Sequence, residues 1–347
     1  DAVIKGVNAY FEAHNRNKKS LTVNLEHTKS REIIYRLTEK SDVFVHNFRV
    51  GSAERMGVGY EDLKKINPRI IYAHASGFGP KGPDNKRGAI DPIAQARSGL
   101  ISVTGEPDSL PVIIPAGMAD QVGAIILAHG ILVALLARER LGIGQRVDSS
   151  LLGGQIFLQG LLLQSYLLSE RPTGKVSRVD MSATYNSYKT KDGRWIIVGL
   201  MQQKYWPRLC RALEVEGLEE DPRFSALDAR SANRRELIGV LDRIIATRTA
   251  KEWIERFDKN DVIHGLAQNY DEVASDPQAL ENEYIVNFNH PIAGPTKFVG
   301  IPVKLSETPG RIRESAPQLG QHTEEVLLEV GGYSWDEIAK FREEGLI

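Results

Sequence analysis

The sequence predicts an α/β protein whose first half forms a parallel sheet. Short apolar runs alternate there with amphipathic segments that have helical spacing. Residues 42–46 and 70–75 have the composition of buried strands, and an amphipathic segment precedes each of them. This helix–strand–helix–strand order is typical of parallel strands joined by helical crossovers. A length of 347 residues, 41% of them hydrophobic, is sufficient for one large domain or two ordinary ones at about 150 residues each.

The elements of the first half follow from the periodicity of apolar residues. Ile33, Ile34 and Leu37 fall on one helical face, which predicts a helix over 29–40 and then a strand over 42–46. The remaining elements expected here are a helix over 60–66, a strand over 70–75, a helix over 91–100, a core helix over 120–140, a strand over 146–148 and a helix over 151–168. The apolar run within the core helix, 122–137, is shorter than the roughly 20 residues that cross a membrane. We therefore expect a buried helix and no membrane partner.

The composition changes after Glu170. Residues 171–187 are largely polar and aperiodic, so they are expected to form a linker. A hairpin is predicted over 188–200, with its turn at Asp192 and Gly193. Further predicted elements are helices over 205–213, 234–246, 251–257, 323–328 and 335–344, an extended stretch over 298–305 and a loop over 309–321.

The charge balance and the single cysteine exclude several classes of protein. Lys and Arg number 44 against 45 Asp and Glu, so the chain lacks the basic excess of a typical nucleic-acid-binding protein. Cys210 alone excludes a disulfide framework and a cysteine-built metal site, and it fits a reducing cytoplasm. The histidines lack the spacings of common metal sites, so no metal cofactor is expected.

A glycine-rich loop matches a nucleotide-binding pattern only in part. Residues 77–82 read G-x-G-x-x-G after a predicted strand, but Pro80 and Pro83 lack the N–H groups that a dinucleotide pyrophosphate needs. The loop also carries three cations: Lys81, Lys86 and Arg87. Two interpretations stay open at this point, an anion site and an ordinary solvated loop.

The turn after the first predicted strand carries side chains suited to a nucleotide-like ligand. Ligands of open α/β sheets collect beyond the carboxyl ends of the strands. Asn47 donates and accepts hydrogen bonds, Phe48 offers a stacking face, and both Arg49 and Arg55 can pair with phosphate. The alternative is a purely structural turn.

Several segments, taken together and in order, resemble class III CoA-transferases. The segments that carry the resemblance are Asn15 to Leu25, Asp42 to Gly57, Tyr60 to Arg69, Ser76 to Pro83, Asp91 to Ala96, Gly142 to Leu152 and Ala316 to Val326. This family includes formyl-CoA transferase, the carnitine and bile-acid CoA-transferases and α-methylacyl-CoA racemase. The resemblance extends from near Asn8 to the last residue.

The resemblance implies a fold and an assembly. It implies a Rossmann-like large domain with a parallel sheet, formed by residues 1–170 and by the end of the chain, 306–347, which includes a second linker. Residues 188–305 would form a smaller α+β domain between them. Two subunits would be threaded through each other as an interlocked dimer. The opening segment of the family has no counterpart here, so we expect an N-terminally incomplete chain.

The resemblance also implies a substrate and the residues that bind it. Asn47, Phe48 and Arg55 match family positions that contact coenzyme A, and Arg87 lies one residue from another basic contact. The implied activity moves CoA between an acyl-CoA thioester and a small carboxylic acid. In such an enzyme a carboxylate attacks the thioester carbonyl and expels the CoA thiolate.

The chain departs from the family at the attacking residue. The family places a nucleophilic aspartate at the position that Gly153 occupies here, and glycine has no side chain to attack with. Another carboxylate could substitute, with Asp91 preferred over Asp148 because it matches an acid that lines the active site of formyl-CoA transferase. Two alternatives remain. The chain could be a CoA-binding subunit whose catalytic partner is a related, separately encoded chain, or a protein that binds CoA esters without turnover.

Overall fold

The computed structural model describes residues 3–347, which form two compact units. The first unit contains the chain up to Ile101, Ile113–Glu170 and Ala274–Ile347, and the second contains Ser102–Val112 and Arg171–Val273. The mixed α/β class with a parallel sheet, expected from the sequence, is confirmed.

The helices and strands have the following bounds. The α-helices are α1 Ala9–Asn15, α2 Ser30–Glu39, α3 Ser52–Arg55, α4 Tyr60–Ile66, α5 Asp91–Arg97, α6 Leu100–Val103, α7 Met118–Leu141, α8 Leu151–Leu158, α9 Gly160–Ser169, α10 Trp206–Leu213, α11 Leu227–Ala232, α12 Arg234–Ile245, α13 Ala250–Lys259, α14 Tyr270–Val273, α15 Pro277–Glu281, α16 Thr323–Glu329 and α17 Trp335–Glu343. The strands are β1 Val3–Ile4, β2 Val7–Asn8, β3 Val43–His46, β4 Ile71–Ser76, β5 Gln145–Ser150, β6 Tyr185–Lys189, β7 Trp195–Gly199, β8 His264–Leu266, β9 Ile285–His290 and β10 Gly294–Val299.

A three-stranded parallel sheet organises the first unit. Its order is β3-β4-β5, and both strand pairs are parallel. Helix α7 packs closely against β5 and α8 because glycines face them. A Cβ on Gly130 would lie 2.9 Å from Cγ1 of Val147, and one on Gly123 would lie 3.1 Å from Cδ2 of Leu151. The carboxyl ends of the three strands therefore lie near the start of α7.

The expectation that the core helix is buried was wrong. Helix α7 has 24 residues, and by length and apolar composition alone it could cross a membrane. Its buried residues are mainly small: Ala119, Gly123, Leu127 and Ala134. Its other face is apolar and exposed, with Ile125, Leu132, Val133 and Leu136 each more than half exposed. Helix α7 packs closely on β5 and α8 through its narrow face of small residues. The larger apolar side chains of its other face lie outside the core of the described residues.

The helix predicted over 151–168 is also interrupted. It forms two helices, α8 and α9, that meet at an angle of 76° around Gln159. Gly160 begins the second helix, and glycine lowers the stability of a continuous helix at such a position. The Nε2 group of Gln159 donates to the carbonyl of Ser98 over 3.3 Å and so holds the bend against the neighbouring helices.

The C-terminal segment packs on the N-terminal segment within the first unit. A buried cluster joins Ile33 of α2 to Leu327, Ile338 and Leu346. Residues 274–305, which the sequence assigned to the smaller domain, also lie in the first unit. The buried His290 of β9 contacts Glu12 of α1, with Nε2 3.2 Å from a carboxylate oxygen, which explains this placement.

The second unit has an antiparallel sheet of order β6-β7-β8, covered by helices. Its core is built around the fully buried side chains of Trp206, Trp253 and Phe257. The predicted hairpin is present as β6 and β7, and Gly193 in its turn has φ +79°, a conformation that favours glycine. Its turn and pairing follow the sequence pattern closely.

Candidate functional site

Two adjoining cavities lie at the carboxyl edge of the parallel sheet. The first has a volume of about 440 Å³ and is lined by Asn47, Phe48 and Arg49 after β3, by Ser76 and Gly77 at the end of β4, and by Asn85 and residues 87–90. The second has a volume of about 430 Å³ and is lined by Ser149 and Ser150 at the end of β5 and by residues of α7. Both cavities share the residues Asn47, Ser76, Gly77, Ala89 and Ile90, so they lie side by side, and together they are called the recess.

The structure brings together most of the residues that the sequence singled out as ligand contacts. Asn47, Phe48 and Arg87 all line the first cavity. Arg55 lies outside both cavity linings, on the exposed side of α3, and its Nη2 donates to Ser52 Oγ over 2.7 Å. Arg49 lines the cavity instead. Within residues 3–347 no carboxylate pairs with Arg49, so its charge is available to an anionic ligand.

The second cation of the cavity is held in a salt-bridge cluster. Arg87 Nη1 lies 3.0 Å from one oxygen of Asp84, and Arg97 Nη2 lies 2.7 Å from the other. Hydrogen bonds from these two guanidinium groups lower the pKa of the Asp84 carboxyl. Asp84 therefore orients Arg87 at the cavity while neutralising part of its charge.

A polar row runs across the sheet beneath Phe48. The strand register aligns His46, His74 and Asp148 on neighbouring strands. His74 is buried; its Nε2–H donates to the carbonyl of Phe48 over 2.9 Å, and its Nδ1 lies 3.3 Å from Asp148. Arg146 donates to both oxygens of Asp148, over 2.8 and 2.9 Å. Asp148 thus supports the sheet edge and has both oxygens engaged.

Asp91, the preferred substitute nucleophile, anchors the start of α7. Its Oδ1 accepts hydrogen bonds from the backbone N–H of Ala119 at 2.5 Å and of Asp120 at 3.4 Å. Its Oδ2 accepts one from Nε2 of the fully buried Gln95 at 2.7 Å. Both carboxylate oxygens of Asp91 are therefore occupied by partners that fix the first turn of a long helix.

Asp120 is the carboxylate that faces the second cavity. It lies in the first turn of α7 and is half-buried. Burial, and after it the charge of Asp91, raise the pKa of Asp120 above its ordinary value. In the sequence Asp120 has the appearance of a helix-capping residue, and no local signal distinguishes it from one.

Gly153 lies in the first turn of α8 and is exposed. Its backbone N–H donates to Oγ of Ser150, which caps that helix over 3.0 Å. A Cβ at this position would lie 2.9 Å from the same oxygen, so a larger residue requires the Ser150 hydroxyl to move. Among residues 3–347, no group of three or more His, Cys, Asp or Glu is placed to share a metal ion.

Comparison with known proteins identifies the family of the chain. The model of CoA-transferase family III matches residues 2–323. The chain belongs to CoA-transferase family III. It is 38% identical over 346 residues to an acyl-CoA transferase of Fusarium pseudograminearum, an alignment that covers 98% of this chain and 75% of that protein.

Two further family III proteins are similar along almost the whole chain. Succinyl-CoA:glutarate CoA-transferase of Mus musculus is 32% identical over 339 residues, which cover 97% of this chain and 78% of that one. The crystal structure of a CAIB/BAIF family protein from Brucella suis superimposes with a TM-score of 0.83 at 28% identity, covering 94% of this chain and 86% of that one. Relatives within family III transfer CoA between acyl-CoA thioesters and carboxylic acids.

Proposed function

We propose that this chain binds an acyl-CoA at the carboxyl edge of its parallel sheet and transfers the CoA to a small carboxylic acid. The observation that carries the proposal is the recess itself. Asn47, Phe48, Arg49 and Arg87 meet in its first cavity, and a second cavity of similar volume with an acid in its wall lies beside it. Similarity to transferases that act on carboxylic acids supports the same reaction.

The first cavity has the chemistry that the nucleotide end of CoA requires. Guanidinium groups bind phosphate through paired N–H donors, and Arg49 and Arg87 provide two of them. The ring of Phe48 offers an apolar face for stacking, and Asn47 offers both a donor and an acceptor. CoA carries phosphates, an aromatic base and amides, so each of these residue types has a counterpart in it.

The second cavity is suited to the acyl group and the acceptor acid. Ser149, Ser150 and Tyr10 are hydroxyl-bearing residues of its wall, and Ala124 and Leu127 are apolar ones. Hydroxyl donors bind carboxylates without introducing a fixed charge. We therefore propose a short acyl donor and a small mono- or dicarboxylic acceptor.

The sequence suggested Asp91 as the attacking carboxylate. For Asp91 to attack, it would have to release the N–H groups at the start of α7. A second candidate function follows from this constraint and from Gly153: a CoA-ester-binding subunit without turnover of its own. The exposed glycine at the family's nucleophile position supports that alternative.

The assembly is proposed to be a homodimer or a heteromer with a related subunit. The exposed apolar face of α7, and of α9 with Leu161 at 87% and Leu168 at 79% exposure, supports burial against a second chain. The single Cys210 is buried and unpaired, in keeping with the proposed cytoplasmic location.

Calorimetric titration combined with a CoA-exchange assay tests the proposed function. Titration with CoA and with succinyl-CoA measures binding, and chromatography of mixtures with unlabelled acids measures transfer. Saturable binding together with the appearance of a new CoA ester supports the transferase. Saturable binding without a new ester over a range of small acids supports the silent subunit, and absence of binding contradicts both.

A further inference from the structure

We propose that Asp120, rather than Asp91, is the carboxylate of this chain that attacks the thioester; the inference rests on the proposed transferase function. Asp120 would take the chemical role that the family gives to an aspartate at the position of Gly153. Asp120 lies in the wall of the second cavity, which has five lining residues in common with the first. We therefore place the CoA portion of the ligand along Phe48 in the first cavity and its thioester beside Asp120 in the second.

Hydrogen bonding separates the three acids near the sheet edge. Asp91 accepts bonds on both oxygens from α7 and from Gln95, and Asp148 accepts two from Arg146. Across residues 3–347, by contrast, no donor contacts the Asp120 carboxylate. A carboxylate without donors retains its lone pairs for attack, whereas hydrogen bonds stabilise the ionised form and lower its basicity.

The role of Asp91 is then to position Asp120. By accepting the N–H groups of Ala119 and Asp120, it fixes the first turn of α7 and thus the place of the neighbouring side chain. Its negative charge also raises the pKa of Asp120, in addition to the larger effect of burial. A more basic carboxylate is a better nucleophile while it remains ionised.

Ser149 supplies a second element of the same site. Its Oγ is buried and has no hydrogen-bond partner in the described chain, and the residue lines the cavity together with Asp120. A buried hydroxyl without a hydrogen-bond partner is energetically unfavourable unless a ligand supplies that hydrogen bond. The thioester carbonyl oxygen, which gains negative charge during attack, is an acceptor of the required kind once the Ser149 side chain turns its hydroxyl into the cavity.

The reaction balances without a redox partner or a net proton. A carboxylate oxygen of Asp120 bonds to the acyl carbon of the donor, the C–S bond breaks, and CoA leaves as a thiolate. The thiolate then attacks the Asp120 carbonyl carbon of the anhydride, which releases the donor acid and leaves a thioester between Asp120 and CoA. The acceptor carboxylate attacks that thioester and expels the thiolate again. The thiolate finally attacks the acceptor's acyl carbon, which gives the new CoA ester and free Asp120.

Trapping with hydroxylamine tests the assignment in the full-length chain. Incubation with a panel of short acyl-CoA esters, succinyl-CoA included, should convert the activated carboxylate to a hydroxamate that peptide mass spectrometry can locate. We expect the hydroxamate at Asp120. The D120N variant should lose it and lose CoA exchange by roughly a thousandfold or more, with unchanged CoA affinity and melting temperature.

The D91N variant is the matched comparison. It should retain the hydroxamate at residue 120 at a lower rate, with a lower melting temperature because an Oδ acceptor is lost. A hydroxamate at Asp91 or Asp148, with exchange intact in D120N, would overturn the assignment and leave the transferase function standing. Binding of CoA esters without any hydroxamate or exchange in the wild type would overturn the assignment and the transferase function together.

Discussion

His46 and His74 stack face to face across two parallel strands, with ring centroids 4.5 Å apart and an interplanar angle of 16°. Together the two histidines hydrogen-bond to the backbone N–H and the backbone carbonyl of Phe48. His46 Nδ1 accepts the N–H of Phe48 at 3.2 Å, and His74 Nε2–H donates to its carbonyl at 2.9 Å. The turn that lines the first cavity is thereby fixed from below, before any ligand binds.

The first prediction concerns pH. His46 accepts through Nδ1 only while that nitrogen is unprotonated, and burial followed by the charge of His74 lowers the pKa of His46 to about 4. Glu54, Arg146 and Asp148 are the other charged groups that act on it. An unfolded His46 would take up its proton near pH 6.5. Between pH 6.5 and pH 4 the unfolded state therefore binds more protons than the folded state. The contribution of His46 to the free energy of unfolding falls as the pH falls through that window.

Urea unfolding as a function of pH measures the effect. We expect a fall in the free energy of unfolding from about pH 6.5 to about pH 4, and weaker CoA binding below about pH 4 as the Phe48 contact is lost. The His46→Asn variant keeps an acceptor but does not titrate, and it should show a shallower slope over this range. Equal slopes in both proteins would contradict the role assigned to His46.

The second prediction separates the two arginines of the turn. Arg49 lines the first cavity, whereas Arg55 lies outside it and contacts Ser52. We expect Arg49→Ala to weaken CoA binding about tenfold or more, because a hydrogen bond to a charged group contributes about 1.5–3 kcal/mol. Calorimetric titration provides the dissociation constants.

Lys65→Ala is the control for this comparison, since Lys65 is an exposed cation on α4, away from both cavity linings. It should leave the affinity unchanged. If Arg55→Ala weakens binding as much as Arg49→Ala does, the family resemblance is a better guide to the phosphate contacts than the cavity geometry.

The third prediction restores the acid that the family carries. Gly153→Asp introduces a Cβ 2.9 Å from Ser150 Oγ, so the helix-capping hydroxyl must rotate. We expect a loss of stability of about 1 kcal/mol, the usual contribution of an N-cap. In the D120N background this substitution should return CoA exchange and move the hydroxamate to residue 153.

Gly153→Asn in the same background has the same size but no attacking carboxylate, and it should remain inactive. Exchange that returns with Asn as well as with Asp would show that residue 153 acts through packing rather than chemistry.

The fourth prediction concerns the exposed face of α7. Leu132 and Leu136 are 66% and 52% exposed on one apolar side of the helix. If a second chain covers this face, Leu132→Glu with Leu136→Glu should convert the dimer to a monomer, because each glutamate would have to be buried without a partner. Light scattering after size-exclusion chromatography measures the mass.

Arg140→Glu changes the charge of the same helix at an exposed polar position and should leave the dimer intact. A wild-type monomer that binds lipid vesicles through this helix would instead indicate a membrane surface as the occupant, consistent with its length and composition.

The fold of the first unit could be predicted because its elements carry clear local signals. Ile33 and Leu37 mark one face of α2, and the Asn67–Pro68 pair ends α4. Strand β9 was missed because Asn287 and Asn289 interrupt its apolar pattern. The exposed apolar face of α7 could not be predicted from composition. A helix that is buried within one chain and a helix that is buried against a second chain have the same apolar pattern.

The candidate site was predicted only in part, for a similar reason. Asn47 and Phe48 were predicted because they follow a strand end, and Arg87 was predicted from the family resemblance. All three line one cavity, and their contact with CoA stays a prediction. Whether Arg49 or Arg55 faces that cavity depends on the residue at which α3 begins. The spacing of residues in the sequence does not determine that residue. Asp91 and Asp120 both lie in the first turn of a helix, and only the long-range hydrogen bonds of Asp91 distinguish the anchoring acid from the free one.

A crystal structure with a bound CoA ester tests most directly whether the carboxyl edge of the sheet is the acyl-CoA site. The ester should lie with its nucleotide portion beside Phe48 and Arg49, and with its thioester carbon about 3.5 Å from a carboxylate oxygen of Asp120. Electron density for the ester at another surface of the chain, with both cavities filled only by solvent, would contradict the assignment of this edge.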